Sequence, residues 1–143
     1  MGRPLVGYQE TNTLFYEPLV HGHGLEFDPI NNWVYSRWYG FVSKQNLIGS
    51  ANSTLQLLLE TNCPNLLIDH RDVHGTWADI TDWLQNIWLP SVLQAGLHKY
   101  AHVALPGSYS VMDAESLFAR IHGKLEMMIF SDIEDAQLWL RSN

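Results

Sequence analysis

The chain has 143 residues and a formal net charge of −7, and 46% of its residues are hydrophobic while 16% are charged. This length and composition predict one compact domain with a substantial core and argue against a disordered chain. The eight basic residues are scattered singly, which argues against binding to nucleic acid or to an anionic membrane surface.

The beginning of the chain is predicted to be a lead, residues 1–24, that is either flexible or adds an edge strand to the fold. Residues 1–13 show no periodicity, residues 14–20 have the composition of a strand that Pro18 would confine to a sheet edge, and residues 21–24 read as a turn or loop. Residues 25–143 are predicted to form the single folded domain.

A hairpin opens the predicted domain. Residues 33–39 are rich in aromatic and β-branched side chains, and the turn at 29–32 pairs them with a short strand at 25–28. Helices and strands then alternate, which predicts an α/β fold with the order ββαβαβαβα. The predicted elements after the hairpin are a helix at 44–61 capped by Ser43, a strand at 66–69, a helix from Ile80 that Pro90 kinks or restarts, a strand at 100–105, a helix at 111–121, a strand at 125–130, and a last helix with Ser131 as N-cap and Glu134 three residues later.

The single cysteine and the hydropathy pattern indicate the cellular compartment. Cys63 alone cannot form an internal disulfide or a cysteine-based zinc site. No apolar run reaches the roughly 18 residues that a membrane span needs, and the first residues lack the apolar core of a signal peptide. We therefore expect a cytoplasmic protein with no integral membrane association.

Several short motifs together resemble a known family, the SpoIIAA-like branch of the STAS (sulfate transporter and anti-sigma factor antagonist) fold. The motifs are Asn31-Asn32-Trp33-Val34-Tyr35, Leu67-Ile68-Asp69 with Arg71-Asp72-Val73, Gly75-Thr76-Trp77, and Phe130-Ser131-Asp132-Ile133-Glu134. The resemblance covers about residues 25–142. It implies a mixed sheet of four or five strands with helices mostly on one face, and a small stand-alone bacterial protein.

The resemblance also bears on phosphorylation. The anti-sigma factor antagonists of this family carry a regulated serine at the start of the helix after the central strand. The pair Asp72-Val73 aligns Ala78 with that serine, and alanine has no hydroxyl group. We therefore expect no phosphorylation switch here, with Thr76 as the acceptor only if the alignment is displaced.

The segment 69–77 is the best candidate site. It follows a strand predicted to be buried on both faces, and ligands of open α/β sheets gather at the carboxyl ends of strands. Its polar and aromatic side chains are Asp69, His70, Arg71, Asp72, His74, Thr76 and Trp77. The segment is predicted to be a polar loop. The alternative to a functional site is that Asp72 and Thr76 only cap turns and the following helix and that Trp77 packs.

Catalytic, cofactor and metal motifs give no support for an enzyme. The sequence has no Gly-x-Ser-x-Gly elbow, no Gly-x-Gly-x-x-Gly and no Walker A motif. The pairs His70–His74 and His98–His102 have i, i+4 spacing but lie outside predicted helices, so loop or surface histidines are favoured over a metal site. We expect no catalytic residues, no cofactor and no metal.

Two functions remain open. The first is a non-enzymatic binding or regulatory module that docks a protein partner through residues 69–77 and the following helix, or that self-associates as a dimer. The alternative is a small-molecule or lipid-type binding protein with an apolar pocket between sheet and helices. A closed cavity of about 300–1,000 Å³ would favour the alternative, and a filled core would favour the first.

Duplex DNA provides a direct test of the charge argument. At physiological ionic strength we expect no measurable binding in a fluorescence titration, because the chain has net charge −7 and no basic stripe. A micromolar dissociation constant would contradict this expectation.

Overall fold

The computed structural model describes residues 5–8, 14–16 and 22–142 of the chain. Seven strands form one sheet in the order of the sequence. Strands β1 to β4 are antiparallel neighbours, and β4 to β7 run parallel. The strands are β1 Leu5–Tyr8, β2 Leu14–Tyr16, β3 His23–Asp28, β4 Trp33–Phe41, β5 Asn65–His74, β6 Lys99–Val103 and β7 Glu126–Phe130.

The predicted alternation of strands and helices after the hairpin is confirmed. Strands β3 to β7 are the five predicted strands, and the two short strands β1 and β2 extend the sheet beyond β3. Strand β2 lies between β1 and β3 and so is not an edge strand; Pro18 and His21 lie outside the described residues. The helices are α1 Lys44–Thr61, α2 Thr81–Trp83, α3 Leu89–Gln94, α4 Tyr109–Ile121 and α5 Ile133–Arg141. None of the helices in residues 22–142 combines the length and the apolar character that crossing a bilayer requires.

The β3–β4 hairpin is fixed by local hydrogen bonds. The Asp28 carboxylate accepts hydrogen bonds from the backbone N–H groups of Ile30 and Asn31 and from the Asn31 side chain. Asn32 has a φ of 58°, a left-handed conformation that asparagine tolerates better than most residues. At the other end of the hairpin Gly22 has a φ of +88°, and a Cβ there would lie 2.7 Å from the Tyr39 carbonyl oxygen, so only glycine fits.

The helix that follows β5 is segmented. A 3₁₀ turn at Ala78–Ile80 leads into α2, a π-helical stretch at Leu84–Trp88 follows, and α3 begins at Leu89. Pro90 lies in the first turn of α3, where its missing N–H is tolerated, so the predicted restart of the helix at this proline is confirmed. In the π-helical stretch Leu84 and Trp88 are buried and Ile87 is exposed.

Most of the helices lie on one face of the sheet, as expected, and one helix covers the other face. Helices α1 to α4 pack against the face formed by Val34, Ile68 and Tyr100, and this is the main core. Helix α5 packs against the opposite face and buries Trp33 and Leu67. The ring of Trp33 is therefore buried under α5.

Hydrogen bonds cap helix α5 at both of its ends. Its N-cap is Asp132, whose carboxylate accepts the N–H of Glu134 at 2.8 Å; the predicted N-cap Ser131 was wrong by one residue. The buried Lys99 donates from Nζ to the carbonyl oxygens of Trp139 at 3.1 Å and Ser142 at 2.6 Å. A cation bonded to the last carbonyls of a helix stabilises its C-terminal end.

Strand β5 lies in the interior of the sheet, and a substitution there tests the packing. Leu67 is 1% exposed and lies under α5. Changing Leu67 to Ala should lower the free energy of unfolding by about 2–5 kcal/mol, because apolar transfer energy is lost and a cavity remains. Urea denaturation measures the loss. The matched control is Leu138→Ala at an exposed position of the same helix layer, which should change the free energy by about 0.5 kcal/mol or less; equal losses in both variants would contradict the assignment of Leu67 to the core.

Candidate functional site

The segment 69–77 is mostly strand, not loop, and this corrects the prediction. Strand β5 continues to His74, because Asp69 and then residues 72–74 pair with β4, with an irregularity in the register between them, and Asp69 still pairs with β6 on the other side. Successive side chains of a strand point to opposite faces, so the predicted site residues are divided between the two faces and do not form one cluster.

Asp69 and Arg71 lie on the same face of the sheet as Leu67, which α5 covers. Arg71 donates to Asp69 from Nε at 2.9 Å and from Nη2 at 2.8 Å, and the Tyr35 hydroxyl donates to Asp69 Oδ2 at 2.7 Å. Burial alone raises the pKa of Asp69, but the hydrogen bonds from Arg71 and Tyr35 outweigh it and hold this pKa below its usual value. The carboxylate therefore stays charged and anchors both partners.

Asp72 and His74 lie at the exposed end of β5. Asp72 accepts from Arg37 Nη2 at 2.9 Å, and both side chains are largely exposed, so this ion pair contributes little to stability. His74 contacts Phe41 at the end of β4, with a distance of 5.4 Å between ring centroids. Asp72 lies within strand β5 and caps no turn, so the capping interpretation of this residue was wrong.

Thr76 and Trp77 join β5 to helix α4. The Thr76 hydroxyl donates to Asp113 Oδ2 at 2.7 Å and accepts the N–H of Ala78 at 3.1 Å. The N–H of Trp77 donates to the same Asp113 oxygen at 2.8 Å. The capping interpretation of Thr76 and the packing interpretation of Trp77 are therefore confirmed. That Ala78 prevents phosphorylation switching stays a prediction.

His70 belongs to a buried polar cluster that sequence reasoning did not find. His23, His70 and His102 are each less than 5% exposed, so the expectation of loop or surface histidines was wrong for these three. The ring centroids of His70 and His102 are 4.5 Å apart, and Trp77 lies 5.8 Å from each. His74 and His98 are exposed, as expected.

Ser110, in the first turn of α4, connects this cluster. Its Oγ lies 2.8 Å from His70 Nδ1 and 3.2 Å from His102 Nε2, and it accepts from Trp77 Nε1 at 3.1 Å. The Tyr100 hydroxyl lies 2.6 Å from His102 Nδ1. The only sequence signal for this arrangement was the i, i+2 pair Tyr100–His102 in a strand, which places both side chains on one face; nothing local indicated Ser110 or Asp113.

Burial keeps His70 and His102 neutral. Desolvation lowers the pKa of His70 well below its ordinary value, and the neighbouring His102 and His23 lower it further. Desolvation also lowers the pKa of His102, to about 3, against the opposing effect of Asp69. In residues 22–142 no group of three or more histidine, cysteine or carboxylate side chains is arranged to hold a metal ion.

A cavity of about 20 Å³ lies beside His70, between the sheet and the segmented helix. Its walls include the side chains of Trp38, Ile80, Leu84, Trp88 and Leu117. This volume is far below the roughly 300–1,000 Å³ of ordinary ligand pockets, so the space between sheet and helices is nearly filled.

Comparison with known proteins supports the fold and nothing beyond it. No family model matches the chain, and no curated protein matches it. A solved structure of an uncharacterized protein from the DUF3478 family with a SpoIIAA-like fold, from Shewanella loihica PV-4, matches with a TM-score of 0.55 and 17% sequence identity. The match covers 82% of this chain and 91% of that one. This chain has a SpoIIAA-like fold. The resemblance noted in the sequence is thereby confirmed at the level of the fold.

Acid should destabilise the protein through the buried His70 and His102. Their folded pKa values lie below the ordinary value of about 6.5, so the two neutral imidazoles contribute their full stability above that pH and lose it as the pH falls towards the folded values. Between pH 6.5 and pH 4 we expect the free energy of unfolding to fall, by at most about 1.4 kcal/mol per pH unit for each of the two histidines.

Urea denaturation across this pH range measures the effect, and two variants locate it. His70→Asn should flatten the dependence, because asparagine does not titrate and its side-chain amide can still bond to Ser110. His98→Gln, at an exposed position, should leave it unchanged. A slope that His70→Asn does not reduce would show that the buried cluster is not the cause.

Proposed function

We propose that this chain is a binding module that docks a protein partner at the carboxyl edge of its sheet. The observation that carries the proposal is a group of large apolar side chains at this edge, which we call the edge patch. Its members and their exposed fractions are Phe41 86%, Leu105 50%, Tyr109 63% and Met112 59%. Clustered exposed apolar side chains are typical of interaction sites.

The members of the edge patch are linked through residues 74–77. Phe41 contacts His74, and a Cβ on Gly75 would lie 4.0 Å from the Phe41 ring. Thr76 and Trp77 bond to Asp113, which is adjacent in sequence to Met112. Tyr109 and Met112 are three residues apart on α4 and so share one helix face. The edge patch therefore adjoins the end of the predicted segment 69–77 through Phe41, and its helical members lie on α4 and not on the helix that follows the segment.

The surroundings of the edge patch fit a protein partner. Charged side chains lie around it, among them the Arg37–Asp72 pair and the exposed Lys44 at the start of α1. An apolar centre with a polar rim is the usual anatomy of a protein interface, and aromatic residues and methionine are enriched there. Because this chain has a net charge of −7, a second copy would be repelled and a neutral or basic protein would not. We therefore propose a different protein with a neutral or basic contacting surface.

A lipid-type ligand is less well supported. Such a ligand needs a pocket of several hundred Å³, and the cavity between the sheet and the segmented helix has about 20 Å³.

Site-specific photocrosslinking tests the docking surface. A photoreactive phenylalanine analogue at Phe41 or Tyr109, in cells that express the protein, should crosslink the same protein from both positions. The matched control is the analogue at Leu138, which is 62% exposed on the outer side of α5 and lies on the other face of the molecule. It should give no such product. With the purified pair, Phe41→Asp should weaken binding at least tenfold, as truncation of an interface anchor does, and Leu138→Asp should not.

Three outcomes would contradict the proposal. One is equal crosslinking from Leu138 and from the edge patch. Another is crosslinking from Phe41 only to a second copy of this chain, together with a dimer in light scattering that Phe41→Asp abolishes. The third is unchanged affinity of the Phe41→Asp variant for the identified partner.

A further inference from the structure

The cavity beside His70 contains one unused hydrogen-bonding group. His70 Nε2 is buried and has no hydrogen-bond partner among the described residues. A buried polar atom without a partner costs about 1–3 kcal/mol, so native proteins retain few of them. This cost marks the atom as a contact point for a ligand, and the chemistry of the other cavity walls decides which ligand fits.

Every other polar side-chain atom of the cavity walls is already bonded within the protein. The indole N–H groups of Trp38, Trp77 and Trp88 donate to Ser36, to Ser110 and to the Ala51 carbonyl. The Thr54 hydroxyl donates to the Ser50 carbonyl, and the Tyr100 hydroxyl bonds to His102. The remaining lining side chains are apolar. Among the described residues that line the cavity, His70 Nε2 is therefore the one polar side-chain atom without a hydrogen-bond partner, and the walls around it are apolar and largely aromatic.

The hydrogen-bond network determines whether this atom is a donor or an acceptor. The buried Tyr100 hydroxyl has His102 Nδ1 as its partner among the described residues, so its proton must be donated there. Neutral His102 then carries its proton on Nε2 and donates it to Ser110 Oγ, which also accepts from Trp77. Ser110 consequently donates its own proton to His70 Nδ1, and neutral His70 is protonated at Nε2. The free atom is an N–H donor.

These requirements define the ligand. Water is a poor occupant, because a buried water makes about three hydrogen bonds and needs two to four polar partners, whereas this cavity supplies one donor. A volume of about 20 Å³ exceeds the ~10–15 Å³ that one water requires and leaves room for only a few atoms. We propose that the cavity is a binding site for a small neutral molecule of about two or three heavy atoms that has one hydrogen-bond acceptor, such as a carbonyl or nitrile, and an otherwise apolar surface.

The segmented helix offers a route into the site. Leu84 and Trp88, which line the cavity, are the first and last residues of the π-helical stretch. Such stretches occur frequently at functional sites. The bond from Trp88 Nε1 to the Ala51 carbonyl, at 3.0 Å, fastens this stretch to α1. Outward movement of Trp88 would open the cavity without breaking the sheet.

Two linear probes of matched size test the proposal on the full chain. Acetonitrile has a nitrogen acceptor, and propyne has the same shape without it. We expect acetonitrile to shift the nuclear magnetic resonance of the His70 Nε2–H and of the Trp88 indole N–H in a saturable manner. It should bind about two- to tenfold more tightly than propyne, which is the effect of one net hydrogen bond. Binding of both probes with equal affinity, or no saturable shift with either, would overturn the proposal.

Two variants separate the ligand contact from the packing. His70→Asn retains an amide that can bond to Ser110 and removes the Nε2 donor, so it should abolish the preference for acetonitrile. Leu84→Ala enlarges the cavity without touching His70 and should admit the larger acceptor acetone, which keeps the test decisive if His70→Asn does not fold. A long-lived water detected at the His70 Nε2–H and not displaced by acetonitrile would assign the cavity to water and refute the proposal.

Discussion

The hydrogen bonds of the Ser110 hydroxyl hold the carboxyl ends of the two central strands to helix α4. It contacts His70 of β5, His102 of β6 and the Trp77 indole, and thus joins two central strands to α4 and to the turn before the segmented helix. Since all of these groups are buried, each must find its hydrogen bonds inside the protein. A serine placed one residue earlier or later on α4 would leave two imidazoles and an indole unsatisfied.

Asp113 extends this attachment by one helical turn. One of its two carboxylate oxygens, Oδ2, accepts from both the Thr76 hydroxyl and the Trp77 N–H. Helix α4 therefore binds the turn that follows β5 through one side-chain group and one backbone group of that turn. Tyr109 and Met112 are exposed on the same helix, which these bonds attach to residues 76 and 77. Helix α4 therefore contributes to both features: its buried side carries the polar network, and its exposed side carries part of the edge patch. The network lies beside the proposed small-molecule site, and the edge patch is the proposed protein-binding surface.

The two faces of β5 have different electrostatic character. On the face of Asp69, the guanidinium of Arg71 and the hydroxyl of Tyr35 favour the charged carboxylate. On the face of His70, desolvation favours the neutral imidazole. A charged group and a neutral group can be adjacent in sequence because the strand directs them to opposite sides of the sheet. This division explains why seven candidate residues in nine positions do not converge on a single active centre.

The sequence by itself determined the order and type of the elements from residue 25 onwards and the burial of Leu66, Leu67 and Ile68, because hydrophobic periodicity and capping are local signals. It did not reveal that β5 continues to His74, because polar residues such as Asp69 and His70 oppose a buried strand unless partners satisfy them. Those partners, Tyr35 and Ser110, lie 34 and 40 residues away in the chain. Only the tertiary structure, which brings these distant groups within hydrogen-bonding distance, decided where the strand ends and which side chains share a site.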